Sequence, residues 1–205
     1  MWHPEVIPPF AQDAISALNT VSPALPFYLA GGTGLALHFG HRRSYDLDFF
    51  SGETVDEEAL LRDLQGLEGL TVLAKTRQTL ELHLGETPVS FMGYPYPLLF
   101  ATARYSGLEV ADPRDIACMK LSAIQSRGTK RDFVDLYVAS KQYPLADLIG
   151  LFERKFAALR YNIVHLMKSL TYFEDAEKDP PPDLLVGISW EEVKRFFARE
   201  VPGLL

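Results

Sequence analysis

The segment at residues 27–51, FYLAGGTGLALHFGHRRSYDLDFFS, constrains the fold of this chain more than any other. A short apolar run ends at Gly31 and Gly32, and small and apolar residues at helical spacing follow it. From Tyr45 to Phe50, acidic and apolar residues alternate, as they do in a strand with one buried face. A strand, a glycine turn, a helix and a second strand in this order predict an α/β fold.

Two aspartates in the alternating stretch indicate a metal site. Asp46 and Asp48 lie two residues apart, so they share one face of the predicted strand, while Leu47 and Phe49 share the other. Neighbouring carboxylates repel each other unless a cation lies between them. Magnesium, a hard ion that prefers oxygen ligands and substrate phosphates, is the expected cation.

The glycine pair before the helix is typical of a phosphate site. Because Gly31 and Gly32 have no side chains, the backbone can approach a phosphate closely, and the first turn of the following helix offers free N–H groups to an anion. A phosphate-binding turn beside metal-binding carboxylates predicts nucleotide chemistry.

The composition predicts a folded cytoplasmic protein. Of the 205 residues, 47% are hydrophobic and 12% aromatic, which suffices for a core and excludes a disordered chain. The single Cys118 cannot form an internal disulfide, as is usual in a reducing compartment. The first residues lack the features of a signal peptide and no apolar run of membrane length follows, so we expect no membrane contact.

The net charge of −7 excludes a protein that coats nucleic acid nonspecifically, because phosphate neutralisation needs clustered basic residues. Local clusters occur at residues 41–43 (HRR) and 127–131 (RGTKR). Each is either a solvated helix end or part of a basic surface beside the predicted chemistry. A continuous surface would favour an RNA substrate; its members would be Arg42, Arg43, Arg127, Lys130 and Arg131.

Periodicity and end signals predict the other elements. Strands are expected near residues 27–30, 45–50, 70–75, 79–84 and 89–94. Helices are expected up to residue 18, at 33–39, after a capping box at 54–57, and at 113–127, 130–143, 145–158, 161–173 and 190–199. Four aromatic residues at helical spacing in the last third are predicted to lie in the core, although they could also stack on a base: Phe152, Tyr161, Tyr172 and Phe173.

Lys120 interrupts an apolar stripe on the predicted helix at 113–127. A lysine in such a stripe is costly unless its ammonium group reaches water or a partner. It could extend to solvent, or it could reach a nucleotide phosphate.

Asp132 and Asp135 share one flank of the next helix. Asp132 could be an acid that the helix dipole favours, and Asp135 could form a surface ion pair with Arg131 worth about 0.3–0.5 kcal/mol. From the residues alone, both roles stay open.

Two sequence blocks together carry a family resemblance. GGT before a helix and RRSYDLDFF after it form the first block, at residues 31–33 and 42–50. KLSAIQSR and KRDFVDL form the second, at residues 120–127 and 130–136, and YFEDA follows at 172–176. In this order they resemble the nucleotidyltransferase superfamily and, more narrowly, the AbiEii/AbiGii abortive-infection toxins, bacterial proteins usually encoded beside an antitoxin.

The resemblance covers most of the chain and implies a polymerase-beta-like α/β fold, a mixed sheet with flanking helices followed by a C-terminal helical domain. It implies a nucleotidyltransferase domain at residues 1–96, including an N-terminal helix. A helical domain at 97–205 would complete the cleft.

The resemblance also implies how a nucleoside triphosphate (NTP) binds. Its triphosphate would lie against Gly31, Gly32 and Thr33, and Arg43 and Ser44 would contact the nucleotide as well.

For catalysis, the resemblance implies that Asp46 and Asp48 hold Mg²⁺, Lys120 binds a phosphate, and Asp132 positions the nucleotide or the acceptor. The enzyme would transfer a nucleoside monophosphate to an acceptor hydroxyl, with RNA, notably tRNA ends, as the acceptor. A cognate antitoxin is the implied protein partner.

The chain departs from the superfamily pattern at one position. Many nucleotidyltransferases carry a third carboxylate on a strand beside the metal-binding pair, and the strand expected there, VSFM at residues 89–92, contains no acid. Glu81 is the nearest substitute, but we favour the interpretation that it faces solvent. The missing acid leaves open a nucleotide-binding module without catalysis. A nucleotidyltransferase for small molecules such as antibiotics, with the same site but an acceptor pocket, is a second alternative.

Overall fold

A seven-stranded mixed sheet forms the framework of the protein in a computed structural model, which describes residues 1–21, 26–159 and 161–204. The strands, in chain order, are β1 (Tyr28–Leu29), β2 (Leu47–Ser51), β3 (Leu70–Thr76), β4 (Thr79–Leu84), β5 (Thr87–Gly93), β6 (Ala103–Tyr105) and β7 (Leu108–Val110). Their order across the sheet is β3-β4-β5-β2-β1-β7-β6. Strand β2 is central, parallel to β5 and antiparallel to β1, which in turn runs parallel to β7.

Helices occupy most of the remaining described chain. The α-helices are α1 (Pro9–Leu18), α2 (Gly31–Phe39), α3 (Glu57–Leu64), α4 (Pro113–Ser126), α5 (Lys130–Gln142), α6 (Leu145–Lys155), α7 (Ile163–Ser169), α8 (Glu174–Lys178) and α9 (Trp190–Glu200). Short 3-10 helices lie at Pro4–Val6 and Val201–Leu204. The mixed sheet with flanking helices confirms the predicted α/β class.

Local sequence signals account for most of these elements. In β4, the side chains of Leu80, Leu82 and Leu84 are buried, while Glu81 faces the other way, as the alternation predicted. Helix α4 begins with Asp112 as N-cap, whose carboxylate accepts a hydrogen bond from the N–H of Arg114.

Several predicted boundaries differ from the structure, and three of them concern the candidate site or a helix cap. Helix α2 begins at Gly31, so the glycine pair forms its first turn rather than preceding it. Strand β2 begins at Leu47, which leaves Asp46 in the preceding loop. Helix α3 is capped by Asp56, which accepts hydrogen bonds from Glu58 and Ala59, and not by the predicted box that starts at Thr54. Asp56 directly precedes the helix and satisfies the free N–H groups of its first turn.

The sheet continues beyond residue 96, because β6 and β7 pair with each other and β7 pairs with β1. The division of the chain near Tyr96 therefore stays a prediction.

A buried ion pair lies where the helices meet the segment after β5. Lys155 on α6 contacts Asp115 on α4 at 2.7 Å and the carbonyl of Pro97 at 2.7 Å. Asp115 also accepts hydrogen bonds from the N–H groups of Leu99 and Phe100.

The proline-rich segment after α8 lies along the loop that follows α2. The Arg43 N–H donates to the carbonyl of Asp183 at 2.8 Å, and the Leu185 N–H donates to the carbonyl of His41 at 2.9 Å. Backbone hydrogen bonds thus hold this segment against the loop. Among the described residues, no helix is both long and apolar enough to span a membrane.

Candidate active site

A cleft of about 470 Å³ lies between one face of the sheet and the second half of α4. Strands β2, β4 and β5 provide its floor, the first turn of α2 lies at one side, and α4 and the start of α5 form the opposite wall. Its lining includes several of the predicted site residues, namely Gly31, Gly32, Asp48, Lys120 and Asp132.

Asp48 packs directly against the first glycine of α2. A Cβ atom at Gly31 would lie 2.5 Å from Oδ2 of Asp48, and Gly31 has a φ of +60°, which disfavours any side chain. Asp46, half-exposed in the loop before β2, has Oδ2 at 4.0 Å from Nη1 of Arg131.

The acid pair has the properties of a cation site. Burial and the charge of Asp46 raise the pKa of Asp48, so its ionised form is unfavourable in the protein alone. A divalent cation would compensate for both effects, and the oxygen donors of the pair are of the type that magnesium prefers. The two residues therefore fit a magnesium site.

The N-terminus of α2 is open to an anion. Its N-cap, Ala30, provides no side-chain hydrogen bond, and the Ala30 N–H donates to the Asp48 carbonyl at 3.0 Å. The backbone N–H groups of the first turn lack partners within the helix, as at any helix start.

The side chain of Thr33 does not face a phosphate. It is buried, and its hydroxyl donates to the carbonyl of Asp46. Thr33 thus ties the start of α2 to the loop that carries the first acid, and only its N–H is available to a triphosphate.

The second glycine makes room for an arginine. A Cβ atom at Gly32 would collide with the guanidinium group of Arg42, which is buried beneath the turn. Arg42 donates from Nε and Nη2 to the two carboxylate oxygens of Asp135, at 2.7 and 2.9 Å. This two-point contact links the loop after α2 to α5.

Lys120 lies at the cleft wall within a network of buried charges. Its Nζ contacts Oδ1 of Asp132 at 2.9 Å and Oδ2 of Asp135 at 2.7 Å. Although burial disfavours its charge, the two carboxylates raise the pKa of Lys120 above the ordinary value, so the ammonium persists. An ammonium has three donors, and these contacts use two of them.

The carboxylate of Asp132 is fully engaged. Besides Lys120, it accepts from the Thr129 hydroxyl at 2.6 Å and from Nε of Arg127 at 3.3 Å. Burial alone would raise the pKa of Asp132, but Lys120 and Thr129 hold it below its usual value. An ionised acid of low basicity is suited to orienting Lys120 rather than to accepting a proton.

Asp135 connects the network, and it does not form the surface pair with Arg131 that its spacing allowed. The side chain is fully buried and contacts Arg42, Lys120 and Nε2 of His41, the last at 2.8 Å. Burial alone would raise the pKa of Asp135, but Arg42 and Lys120 hold it well below its usual value. The i,i+4 spacing missed this role because Asp135 points inward.

Comparison with known proteins identifies the family. The family model described as "Nucleotidyl transferase AbiEii toxin, Type IV TA system" matches residues 13–71 and 65–202. The chain belongs to the AbiEii family of nucleotidyltransferase toxins. It is accordingly a nucleotidyltransferase. An uncharacterised protein of Aquifex aeolicus (strain VF5) is 36% identical over 200 residues, covering 95% of each chain.

Solved structures share the fold of this AbiEii chain. MenT4, a nucleotidyltransferase toxin of Mycobacterium tuberculosis H37Rv, aligns with a TM-score of 0.60 at 18% identity over 95% of this chain and 82% of MenT4. A putative nucleotidyltransferase of H. pylori aligns with a TM-score of 0.53 at 17% identity over 95% and 91%. The antibiotic-resistance factor ANT(2'')-Ia aligns with a TM-score of 0.52 at 13% identity over 77% and 94%.

Four predicted site residues of the AbiEii chain lie outside the cleft lining, namely Thr33 and Asp46, described above, and Arg43 and Ser44. Arg43 is half-exposed and pairs with Asp183, at 3.2 Å from Nη1 to Oδ2. Ser44 is buried, and its Oγ accepts a hydrogen bond from Nη1 of Arg42 at 3.3 Å. Their side chains support the loop after α2 rather than face Asp48.

The position of the third acid is occupied by a serine. On β5, Ser90 pairs with Asp48 of β2 on one side and with Glu81 of β4 on the other. Glu81 is exposed and lines the same cleft. Within residues 1–21, 26–159 and 161–204, no three His, Cys, Asp or Glu side chains form a metal-binding group.

Sequence reasoning missed Arg42 and left Asp135 open. In the HRR cluster, nothing local distinguishes the buried Arg42 from the exposed Arg43. The usable signal was Gly32, because a glycine inside a helical turn marks a close approach by another group.

Proposed function

We propose that this protein catalyses magnesium-dependent transfer of a nucleoside monophosphate from an NTP to a hydroxyl group of RNA, and that it acts as the toxin of a bacterial toxin–antitoxin pair. The observation that carries the proposal is that one cleft brings together Asp48, whose pKa is raised by burial and by Asp46, the open N-terminus of α2 and the ammonium of Lys120. Negative phosphates and a divalent cation complement this arrangement.

The triphosphate would bind between α2 and α4. The N–H groups at the start of α2 would donate hydrogen bonds to phosphate oxygens, and Lys120 would contribute its third donor from the opposite wall. Arg127, whose side chain is 67% exposed at the cleft, would neutralise further negative charge. The salt bridges to Asp132 and Asp135 hold the ammonium of Lys120 in place before the nucleotide arrives.

Asp46 and Asp48 would hold the magnesium ion. The ion, when bound, offsets negative charge on the phosphate oxygens and helps to align them. The backbone of both acids is held by hydrogen bonds, from Thr33 to the Asp46 carbonyl and from Ala30 to the Asp48 carbonyl. These bonds hold the backbone from which the two carboxylates extend, on either side of the start of β2.

In the reaction, the acceptor hydroxyl attacks the α-phosphorus of the NTP. A new O–P bond forms, the bond to the β-phosphate oxygen breaks, and pyrophosphate leaves with the electron pair. Lys120 and Arg127 would stabilise the charge of the departing pyrophosphate. The hydroxyl proton passes to a base, for which Glu81 is the exposed carboxylate in the cleft.

The acceptor and the toxin role come from the family. AbiEii proteins are described as type IV toxins, and MenT4 as a nucleotidyltransferase toxin, which supports the same role here. A continuous basic surface, which would have favoured an RNA substrate, is not formed, because Arg42 pairs with Asp135, Arg43 with Asp183, and the ammonium of Lys130 with the carbonyl of Asp179. Arg127 and Arg131 remain exposed beside the cleft.

The test is incubation of the purified protein with magnesium and each labelled NTP, with and without total tRNA. We expect label in RNA with one NTP and none with Asp48→Asn. Label on an added aminoglycoside but not on RNA would instead support the small-molecule alternative. Magnesium-dependent NTP binding without transfer to either acceptor would support the binding-module alternative.

A further inference from the structure

A second groove adjoins the active-site cleft, and Ser126 and Arg127 line both. This α4–α7 groove, of about 330 Å³, lies between the end of α4 and α7, and the residues that matter here are Ser126, Arg127, His165, Lys168 and Tyr172. A ligand that follows the groove past Arg127 enters the cleft that holds Asp48 and Lys120.

The groove presents basic side chains without ion-pair partners of their own. Lys168 and His165 are exposed, and among the described residues neither side chain has a hydrogen-bond or ion-pair partner. The acid in the lining, Asp175, pairs with Lys178 at 2.9 Å. Arg42, Arg43 and Lys130, around the loop after α2 and the start of α5, have partners. The groove, in contrast, offers the unpaired ammonium group of Lys168 beside the cleft.

Tyr172 adds an exposed aromatic ring to the groove. The sequence pattern predicted Tyr172 in the core, but the residue is 51% exposed. Its hydroxyl donates to Oε2 of Glu174 at 3.1 Å, which restrains the ring at the surface. An exposed, restrained aromatic beside cationic side chains is the combination that binds single-stranded nucleic acid, because every base has a face that can stack.

We propose that the α4–α7 groove binds the single-stranded end of the RNA acceptor, with Lys168 and Arg127 at its phosphates and Tyr172 stacked on a base. The inference rests on the proposed transfer to RNA and specifies the binding site and the strand form of the acceptor. The acceptor must deliver a terminal hydroxyl into the cleft, and a flexible single strand can do so from an adjoining groove. Because the whole chain carries a charge of −7, phosphate binding depends on such a local site.

The experiment measures three quantities for Lys168→Glu and Tyr172→Ala: magnesium-dependent NTP binding, tRNA binding at several salt concentrations, and label transfer to tRNA. We expect NTP binding within twofold of the wild type and tRNA binding weakened about tenfold or more. For Lys168→Glu, the slope of log K against log salt should fall by about 1, as for a lost phosphate contact.

Two control variants make the comparison specific. Arg62→Glu changes the net charge by the same amount on the exposed side of α3, and its tRNA binding should match the wild type. Tyr172→Phe keeps the ring and loses the bond to Glu174, so it should recover most of the binding lost in Tyr172→Ala.

The outcomes separate this inference from the proposed function. If the wild type labels tRNA and both groove variants bind and label it equally well, the groove assignment is overturned and RNA transfer stands. If the wild type binds NTP but neither binds nor labels RNA, the acceptor class and the groove proposal fail together. If Arg62→Glu weakens tRNA binding as much as Lys168→Glu does, the effect is one of net charge, and the groove assignment is overturned as well.

Discussion

At the residue scale, the pKa of Asp48 links the protein's stability to its function. Burial and Asp46 raise this pKa, so ionisation of Asp48 at neutral pH costs folding free energy in the absence of a cation. The cost disappears as the pH falls and Asp48 becomes protonated. Cation binding should weaken over the same range because the proton and the metal compete for one carboxylate.

We predict that Asp46→Asn/Asp48→Asn abolishes magnesium-dependent nucleotide binding and leaves the fold intact. Affinity should fall by more than the roughly 10–100-fold that loss of an outer-shell partner costs. Without magnesium, Tm should equal or exceed that of the wild type, because the mutual repulsion is removed. Calorimetric titration measures the nucleotide affinity and thermal unfolding measures the Tm, with Glu53→Gln as the control. Metal-dependent binding retained in the folded double variant would refute the metal site.

A second residue-scale prediction concerns the missing acid. Adjacent strands lie about 4.8 Å apart, so Glu81 and Asp48, with Ser90 between them, leave room for an acceptor hydroxyl. If Glu81 accepts the proton, Glu81→Gln should lower kcat about 10²-fold or more with little change in the KM for NTP.

Adding Ser90→Asp to Glu81→Gln should restore part of kcat, since it puts a carboxylate next to Asp48. Single-turnover rates of each variant, measured across a range of pH, test both expectations, with Glu86→Gln in the β4–β5 turn as the control. Wild-type kcat in Glu81→Gln would show that Glu81 only faces solvent.

At the scale of elements, the buried charge network joins α2, α4 and α5. Asp135 reaches Arg42 after α2 and Lys120 on α4, while its own helix begins with Thr129 as N-cap. The same contacts that hold Lys120 in the cleft wall therefore hold the helices together. Gly32 belongs to this arrangement, because a larger residue would displace the guanidinium of Arg42.

We predict that Asp135→Asn lowers the free energy of unfolding by about 3–5 kcal/mol, because Arg42 and Lys120 lose the charge that compensates their burial. The folded-state pKa of Asp135 is depressed, so its contribution is present above the unfolded value of about 4 and is lost as the pH falls through the folded value. The difference in unfolding free energy between Asp135→Asn and the wild type, measured with urea, should be largest at neutral pH and smaller in acid. The control Asp13→Asn, on the exposed side of α1, should change the free energy of unfolding little. An equally small change in Asp135→Asn would contradict the conclusion that the charge network stabilises the fold.

At the scale of the whole molecule, the Lys155–Asp115 pair connects α6 and α4 to the segment that leaves β5. The carbonyl of Pro97 and the N–H groups of Leu99 and Phe100 bond to the same pair. This pair therefore fixes the path by which the chain passes from β5 to β6.

We predict that Lys155→Met lowers the free energy of unfolding by about 3–5 kcal/mol, because Asp115 is left buried without its cation. Hydrogen exchange at residues 97–100 should accelerate, while Lys141→Met, at an exposed position on α5, should leave it unchanged. A loss below about 1 kcal/mol with unchanged exchange would show that the backbone N–H groups alone satisfy Asp115.

The sequence by itself determined the local chemistry of this protein. The order of strand, glycine turn, helix and acidic strand could be predicted from the sequence because it depends on neighbours within a few residues. The cap at Asp112 and the alternation in β4 could be predicted for the same reason. The family resemblance, carried by residues 31–50 and 120–136, was sufficient for the fold class and the enzyme class.

Only the tertiary structure decided which charges are buried and which surfaces remain free. Arg42 and Asp135 are 93 residues apart in the chain, so no local spacing predicts their contact. The exposure of Tyr172 and the alignment of Asp48, Ser90 and Glu81 likewise depend on how distant segments pack. Burial and ion pairing are properties of position in space, and the chain acquires them only when its elements come together.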